Sequence, residues 1–194
     1  MAKAELVRAN EAASTREAFR RILRGVASTV TIITTRWEGR RYGMVATAAM
    51  SVSFEPPSFM VAINRSASAY RALEAQGAFA VNIIGRTDEH VAKGFAEAPG
   101  EERFRSGHWL DYLEDGEFEN LPYLDSCQAA IFCKTAKTAI FGTHTLFIGE
   151  VHDILAHGRS HPLLYLDGGF GGYVASPKRD SHLERDNSLM PCPL

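Results

Sequence analysis

The chain has 194 residues, of which 45% are hydrophobic and 23% charged, enough to bury one sizeable core and too apolar for a disordered chain. A formal net charge of -2 and the lack of a dense Lys/Arg stripe argue against nucleic acid as a partner. Three cysteines, Cys127, Cys133 and Cys192, leave one unpaired in any disulfide scheme and match no zinc spacing, which fits a reduced, cytoplasmic setting. The N-terminus lacks the apolar core of a signal peptide, and no window approaches the ~20 apolar residues of a membrane span.

Residues 1–13 are polar and alanine-rich and read as an extension ahead of a single domain at 14–176. Ser14 and Glu17 form a capping-box pair, and Phe19, Ile22, Leu23 and Val26 follow at helical spacing, with Gly25 as terminator. Residues 26–35 are rich in β-branched side chains and predict the first long strand. A polar turn at 37–40 precedes a second strand over 41–53, which makes a hairpin. Alternation within it puts Ala46, Ala48, Met50 and Val52 on one face and Thr47, Ala49, Ser51 and Ser53 on the other. So little side-chain bulk lets a flat ligand approach the backbone.

Pro56 and Pro57 end that strand. A third, over 58–63, leads through Asn64, Arg65, Ser66, Ala67 and Ser68 into a helix over 68–76 that stops at Gly77. Strand, polar turn and helix N-terminus together form a place where orphan N–H groups and hydroxyls collect a phosphate, although N-capping is the commoner use of serine. Residues 78–84 read as a buried strand, Thr87 as the cap of a helix over 88–96, and 98–121 as a long loop. Strands over 129–141, 143–155, 163–166 and 170–174 follow, and 177–194 form a polar tail. Six or seven strands with short helices and no regular alternation of the two predict a mainly β fold, as a closed antiparallel barrel.

The seven histidines show no HExxH or comparable spacing, so a metal site is not expected. His144, in FGTHTLFIGEV, stands at a glycine-led strand entrance and reads either as a hydrogen-bond partner for a ligand or as a solvated turn histidine. DGGFGGY at 167–173 fails the GxGxxG spacing and reads as a turn that positions Phe170 and Tyr173. Cys127 and Cys133 read as buried, inert thiols.

Taken in order, FRRILRGVASTVTIITT, GMVATAAMSVSFEPPSFMVAIN, AFAVNII with VAKGFA and RF, GTHTLFIGEV and PLLY resemble the short-chain flavin reductase family over roughly residues 16–173. That family supplies the reductase components of two-component flavin-dependent monooxygenases, such as the 4-hydroxyphenylacetate 3-monooxygenase system. The resemblance implies an FMN-binding split β-barrel that takes FMN or FAD, with NADH or NADPH as hydride donor. It also implies a homodimer and an oxygenase partner that receives reduced flavin. By the same resemblance, Ala46, Thr47, Ala48, Ser51, Val52 and Ser53 line the flavin ring, and Asn64, Ser66 and Ser68 hold the ribityl phosphate. Arg103 and Phe104 match a basic-aromatic pair near that phosphate, while His144 and Tyr173 match groups on the nicotinamide side. The chain departs from the family where VATAAM replaces the commoner TASSF, which removes a hydroxyl at Ala49, and where GTH replaces GDH, which removes a charge at Thr143. The alternatives are a non-catalytic flavin-binding protein and a flavoprotein that retains its flavin and reduces another acceptor.

Overall fold

The computed structural model describes residues 12–113, 116, 118, 120–158 and 161–174. The extension up to residue 11 and the polar tail at 177–194, with Cys192, lie outside the described residues. Helix α1 spans Ala12–Arg24, so Ser14 falls inside it and the capping-box reading does not hold. Its apolar stripe is real but uncovered among the described residues, with Phe19, Ile22, Leu23 and Val26 all exposed. The β-branched run that follows is two strands, β1 (Ser28–Thr29) and β2 (Thr31–Trp37). Between them the buried Val30 donates its N–H to the Leu163 carbonyl at 2.9 Å and accepts from Ile84 N–H at 3.1 Å, so the chain passes from one sheet into another.

Strand β2 turns into β3 (Arg40–Ala46) through Glu38 and Gly39, both at positive φ (49° and 73°), the conformation that matches a tight hairpin to the strand twist. The single strand expected over 41–53 is broken. β3 ends at Ala46, and a separate edge strand, β4 (Ala49–Phe54), pairs with β5 (Pro57–Asn64). The rest of the chain forms α2 (Tyr70–Gln76), β6 (Ala78–Ile83), a 3-10 turn at Arg86–Asp88 and α3 (Glu89–Glu97). A second 3-10 turn at Gly100–Arg105 and the short pair β7 (Trp109–Asp111) and β8 (Pro122–Leu124) give structure to the expected long loop. The long hairpin of β9 (Ala129–Phe141) and β10 (His144–Ala156) and the small hairpin of β11 (Leu163–Leu166) and β12 (Gly169–Gly172) complete it. Gly77 caps α2 in the left-handed region at φ 69°, as its position predicts, whereas α3 starts after Asp88 without a side-chain cap from Thr87.

The main sheet is antiparallel throughout, in the order β3-β2-β6-β9-β10-β5-β4. It is not closed into the expected barrel, because its edge strands β3 and β4 form no ladder with each other. The β4–β5 pairing runs one step past its ladder, from Ala62 N–H to the Ala48 carbonyl at 2.9 Å, so Ala48 stays on the β5 side of the opening. Neighbouring residues of a strand face opposite ways, so Ile32 and Ile33 anchor two cores. Ile32 packs with Phe95, Phe104, Leu124 and Phe132, and Ile33 with Val61, Ile63, Phe79 and Phe147. Asn82, fully buried on β6, ties β2 to β8: its amide donates to the Ile32 carbonyl (2.9 Å) and Thr34 Oγ1 (3.2 Å), and its Oδ1 accepts from Leu124 N–H (2.8 Å). On β10, a Cβ at Gly149 would lie 2.7 Å from Cys133 Cβ and 2.8 Å from the Phe79 ring. Gly149→Ala is therefore expected to destabilise the protein by about 1–3 kcal/mol, read as a lower urea midpoint at unchanged m-value.

Candidate active site

The break between β3 and β4 exposes Thr47 and Ala48, while Ala46 stays buried. The Ala46 carbonyl already accepts Thr31 Oγ1 at 2.8 Å, and the Ala48 carbonyl accepts from Ala62. Ala62 stands two residues before Asn64 on β5, so the break lies within about 7 Å of the phosphate-type turn measured along that strand. Within the turn, Asn64 Oδ1 accepts from Ser66 N–H (3.0 Å) and Ser66 Oγ (2.9 Å), an Asx turn that explains why asparagine and serine stand there.

Arg103 reaches this turn from far along the chain. Its Nε donates to the Ala98 carbonyl (2.7 Å), and Nη1 donates to the Gly43 carbonyl on β3 (2.6 Å) and to Ser68 Oγ (3.3 Å). The guanidinium thus sits between β3 and the turn. Ser68, accepting from it, keeps its own proton to donate.

His144 joins the same group through register, since it pairs with Asn64 across β5 and with Phe141 across β9. It is exposed, and Thr143 Oγ1 lies 2.9 Å from its Nδ1. The threonine of GTH thus keeps a hydrogen bond to the imidazole without supplying a charge. Arg65 fastens the turn before it, donating its N–H to the Thr143 carbonyl and Nη2 to the Gly142 carbonyl, each at 3.0 Å.

The other expected residues scatter. Ser51 and Val52 are exposed on β4, where the register with β5 shifts between Ser51 and Ser53, and the Ser53 hydroxyl is engaged with the backbone of Glu55 at 3.0 Å. Of the apolar face expected here, Ala46 is buried while Met50 and Val52 are uncovered among the described residues. Phe104 is a core residue, packed edge-on against Phe95 and Trp109 at 5.0 Å each, with the Arg41 guanidinium 4.7 Å above its ring. Neighbours on a 3-10 turn point apart, so Arg103 goes to the site and Phe104 to the core. Tyr173 is exposed beside Arg86, Thr87 and His161, a region that follows the Ala156 end of β10, whereas His144 starts that strand. The strand between them has 13 residues, roughly 40 Å of contour.

The sequence reading did not single out a set of groups around Thr47 and Ala48. A cleft of about 460 Å³ there is also lined by Arg20 and Arg24 of α1, Ser28 and Tyr165. Arg24 Nε donates to Asp167 Oδ1 at 2.8 Å while Asp167 N–H donates to the Arg24 carbonyl at 2.8 Å, which locks the end of α1 to the β11–β12 turn. The one available signal was the pair of basic residues in the last turns of an amphipathic helix. Cys127 and Cys133 take no part: burial pushes each thiol up to about 12, helped at Cys127 by the charge of Asp88.

The Arg103 guanidinium and the Ser68 hydroxyl form the donor set of an anion site beside the turn, whose N–H groups at Arg65, Ser66 and Ala67 and whose Ser66 hydroxyl are engaged in holding its shape. Small side chains beside it open the backbone to a flat ring. The residues present therefore fit a flavin phosphate at 64–68 and an isoalloxazine at the strand break.

Residues 23–173 match the flavin reductase like domain family. Over 155 residues the chain is 36% identical to the FMN reductase (NADH) RutF of Pseudomonas syringae pv. syringae, covering 79% of this chain and 84% of that one. It is likewise 36% identical over 150 residues to the reductase component of the FADH(2)-dependent resorcinol hydroxylase of a Rhizobium species, covering 76% and 81%. Among solved structures, the NADH:FAD oxidoreductase SgcE6 of Streptomyces globisporus superposes with a TM-score of 0.78 at 26% identity, over 90% of this chain and all (100%) of that one. Family match, identity and fold agree: the chain belongs to the flavin reductase like domain family.

Proposed function

We propose that the protein is an NADH:FMN oxidoreductase that releases reduced flavin to a partner oxygenase. The observation that carries this reading is the convergence of Thr47 and Ala48, the 64–68 turn, Arg103 and His144 at one end of β5. The relatives named as NADH-dependent FMN reductases support the choice of nucleotide and flavin, and the resorcinol hydroxylase reductase supports an oxygenase as partner.

When both are bound, NADH supplies a hydride from its C4 and the flavin accepts it at N5. The protein supplies alignment. Arg103 and Ser68 would hold the phosphate on the turn that Asn64 and Ser66 shape, the backbone at the break would position the ring edge, and His144 would meet the nicotinamide side. Ala49 offers no hydroxyl to the flavin, which favours release over retention.

The open edge between β3 and β4 is the split of the family's barrel in this reading. The outward face of the same sheet supports a homodimer. Directly paired residues share a face, so Met60 with Ile148 and Met50, and Ala62 with Leu146, form an apolar surface opposite the buried Val61 and Phe147. His144 and Phe141 lie on that face, at its rim. A monomeric mass at working concentration would remove the dimer.

The test is NADH oxidation with FMN in large excess and oxygen excluded. Bleaching of many flavins per chain is expected, and bleaching of only one per chain, or none, would refute release. His144→Ala is expected to raise KM for NADH about tenfold, the worth of one hydrogen bond of ~1.4 kcal/mol, while leaving the FMN dissociation constant unchanged. Steady-state kinetics and FMN titration read the two effects separately.

A further inference from the structure

A second cleft, of about 370 Å³, opens between the 3-10 turn after β6 and the β11–β12 hairpin. Arg86, Thr87, His161, Pro162, Gly172 and Tyr173 line it; the nearby Asp88 carboxylate is turned to the Thr87 hydroxyl, which donates to Asp88 Oδ2 at 3.5 Å, and to Ser126. Arg86 makes no ion pair among the described residues, although the chain pairs several other arginines with carboxylates. Its side chain is laid along Gly172: a Cβ there would come within 3.0 Å of Arg86 Cδ and 3.4 Å of Nε and Nη1. Its backbone N–H donates to the His161 carbonyl at 2.9 Å, while His161 N–H donates to Gln128 Oε1 at 2.7 Å. Both side chains are therefore carried on backbone fixed by neighbouring elements. None of these groups serves the flavin site proposed above.

We infer that this cleft binds the phosphate of a nucleotide, with the Arg86 guanidinium and His161 imidazole around the phosphate and Tyr173 against the base. A guanidinium presents a planar fork to two phosphate oxygens, and an imidazole N–H adds a donor. An exposed tyrosine ring at the rim offers a stacking surface. The volume exceeds that of a phosphate alone and falls in the range of small-molecule sites. Free adenine nucleotides and the adenylate end of a pyridine nucleotide share this chemistry.

The experiment is calorimetric titration of the flavin-free full chain with AMP, with adenosine and inorganic phosphate as controls. AMP is expected to bind, adenosine not to bind, and Arg86→Gln to weaken AMP about tenfold or more, the worth of a charged hydrogen bond. Arg86→Lys, which keeps the charge, is expected to fall between the two. Wild-type protein that fails to bind AMP at millimolar concentration, or Arg86→Gln protein that binds AMP like wild type, would overturn the inference. Competition by NADH would assign the site to the hydride donor, and its absence to a free nucleotide. FMN titration of the same variant separates this from the reductase reading, because Arg86→Gln is expected to leave FMN affinity intact.

Discussion

Arg103→Ala should weaken FMN binding about 10- to 100-fold while affecting riboflavin far less, because the lost interaction is a charged hydrogen bond worth about 1.5–3 kcal/mol to the phosphate. Riboflavin has the same ring and ribityl chain without the phosphate, so the pair of titrations isolates that group. The control matters because Arg103 also holds the carbonyls of Gly43 and Ala98. If its role were only to brace β3, both flavins would lose affinity equally, and that outcome would remove the phosphate assignment. Arg103→Lys is expected to recover part of the FMN affinity, since it keeps the charge but not the fork.

Asn82→Leu should lower stability by about 2–5 kcal/mol, among the largest effects of any single change in the chain. The side chain is fully buried and makes three hydrogen bonds to two other strands, leaving the Ile32 carbonyl, Thr34 Oγ1 and Leu124 N–H short of a partner when it is lost. A buried group left unsatisfied costs about 1–3 kcal/mol each, partly relieved where a second partner exists. Thr34 keeps its own donation to the Pro122 carbonyl, which is the reason for the lower bound. Urea unfolding measures the change, and a shift below ~1 kcal/mol would show that water replaces the amide. Because Asn82 lies outside the proposed flavin site, the FMN affinity of the fraction still folded is expected to match wild type.

Arg103 and Asn82 also mark where reading the residues alone runs out. Asn82 sits in AFAVNII, whose apolar run and bounding glycines identify a buried strand correctly. Nothing local shows that its one polar residue joins β2 to β8, because those partners are 50 and 42 positions away. Arg103 and Phe104 are adjacent in the sequence, yet one reaches Ser68 and the other packs among Phe95 and Trp109. Composition cannot separate them. The direction of each side chain depends on a 3-10 turn that forms only against β3.

The sequence by itself determined the elements whose cause is local. Glycine at positive φ ends α2 at Gly77, β-branched and apolar runs mark β2, β6, β9 and β10, and the Asx turn at Asn64 follows from an asparagine two residues before a serine. Only the tertiary structure decided that the alternating stretch at 41–53 is two strands at opposite edges of one sheet, because a period of two reports which face a residue takes and not which strand it pairs with. It also decided that His144 meets Asn64 and that Tyr173 stands apart with Arg86, since both follow from the register of a 13-residue strand. Pairing over such distances is set by the burial of both cores together, and no single segment carries that information.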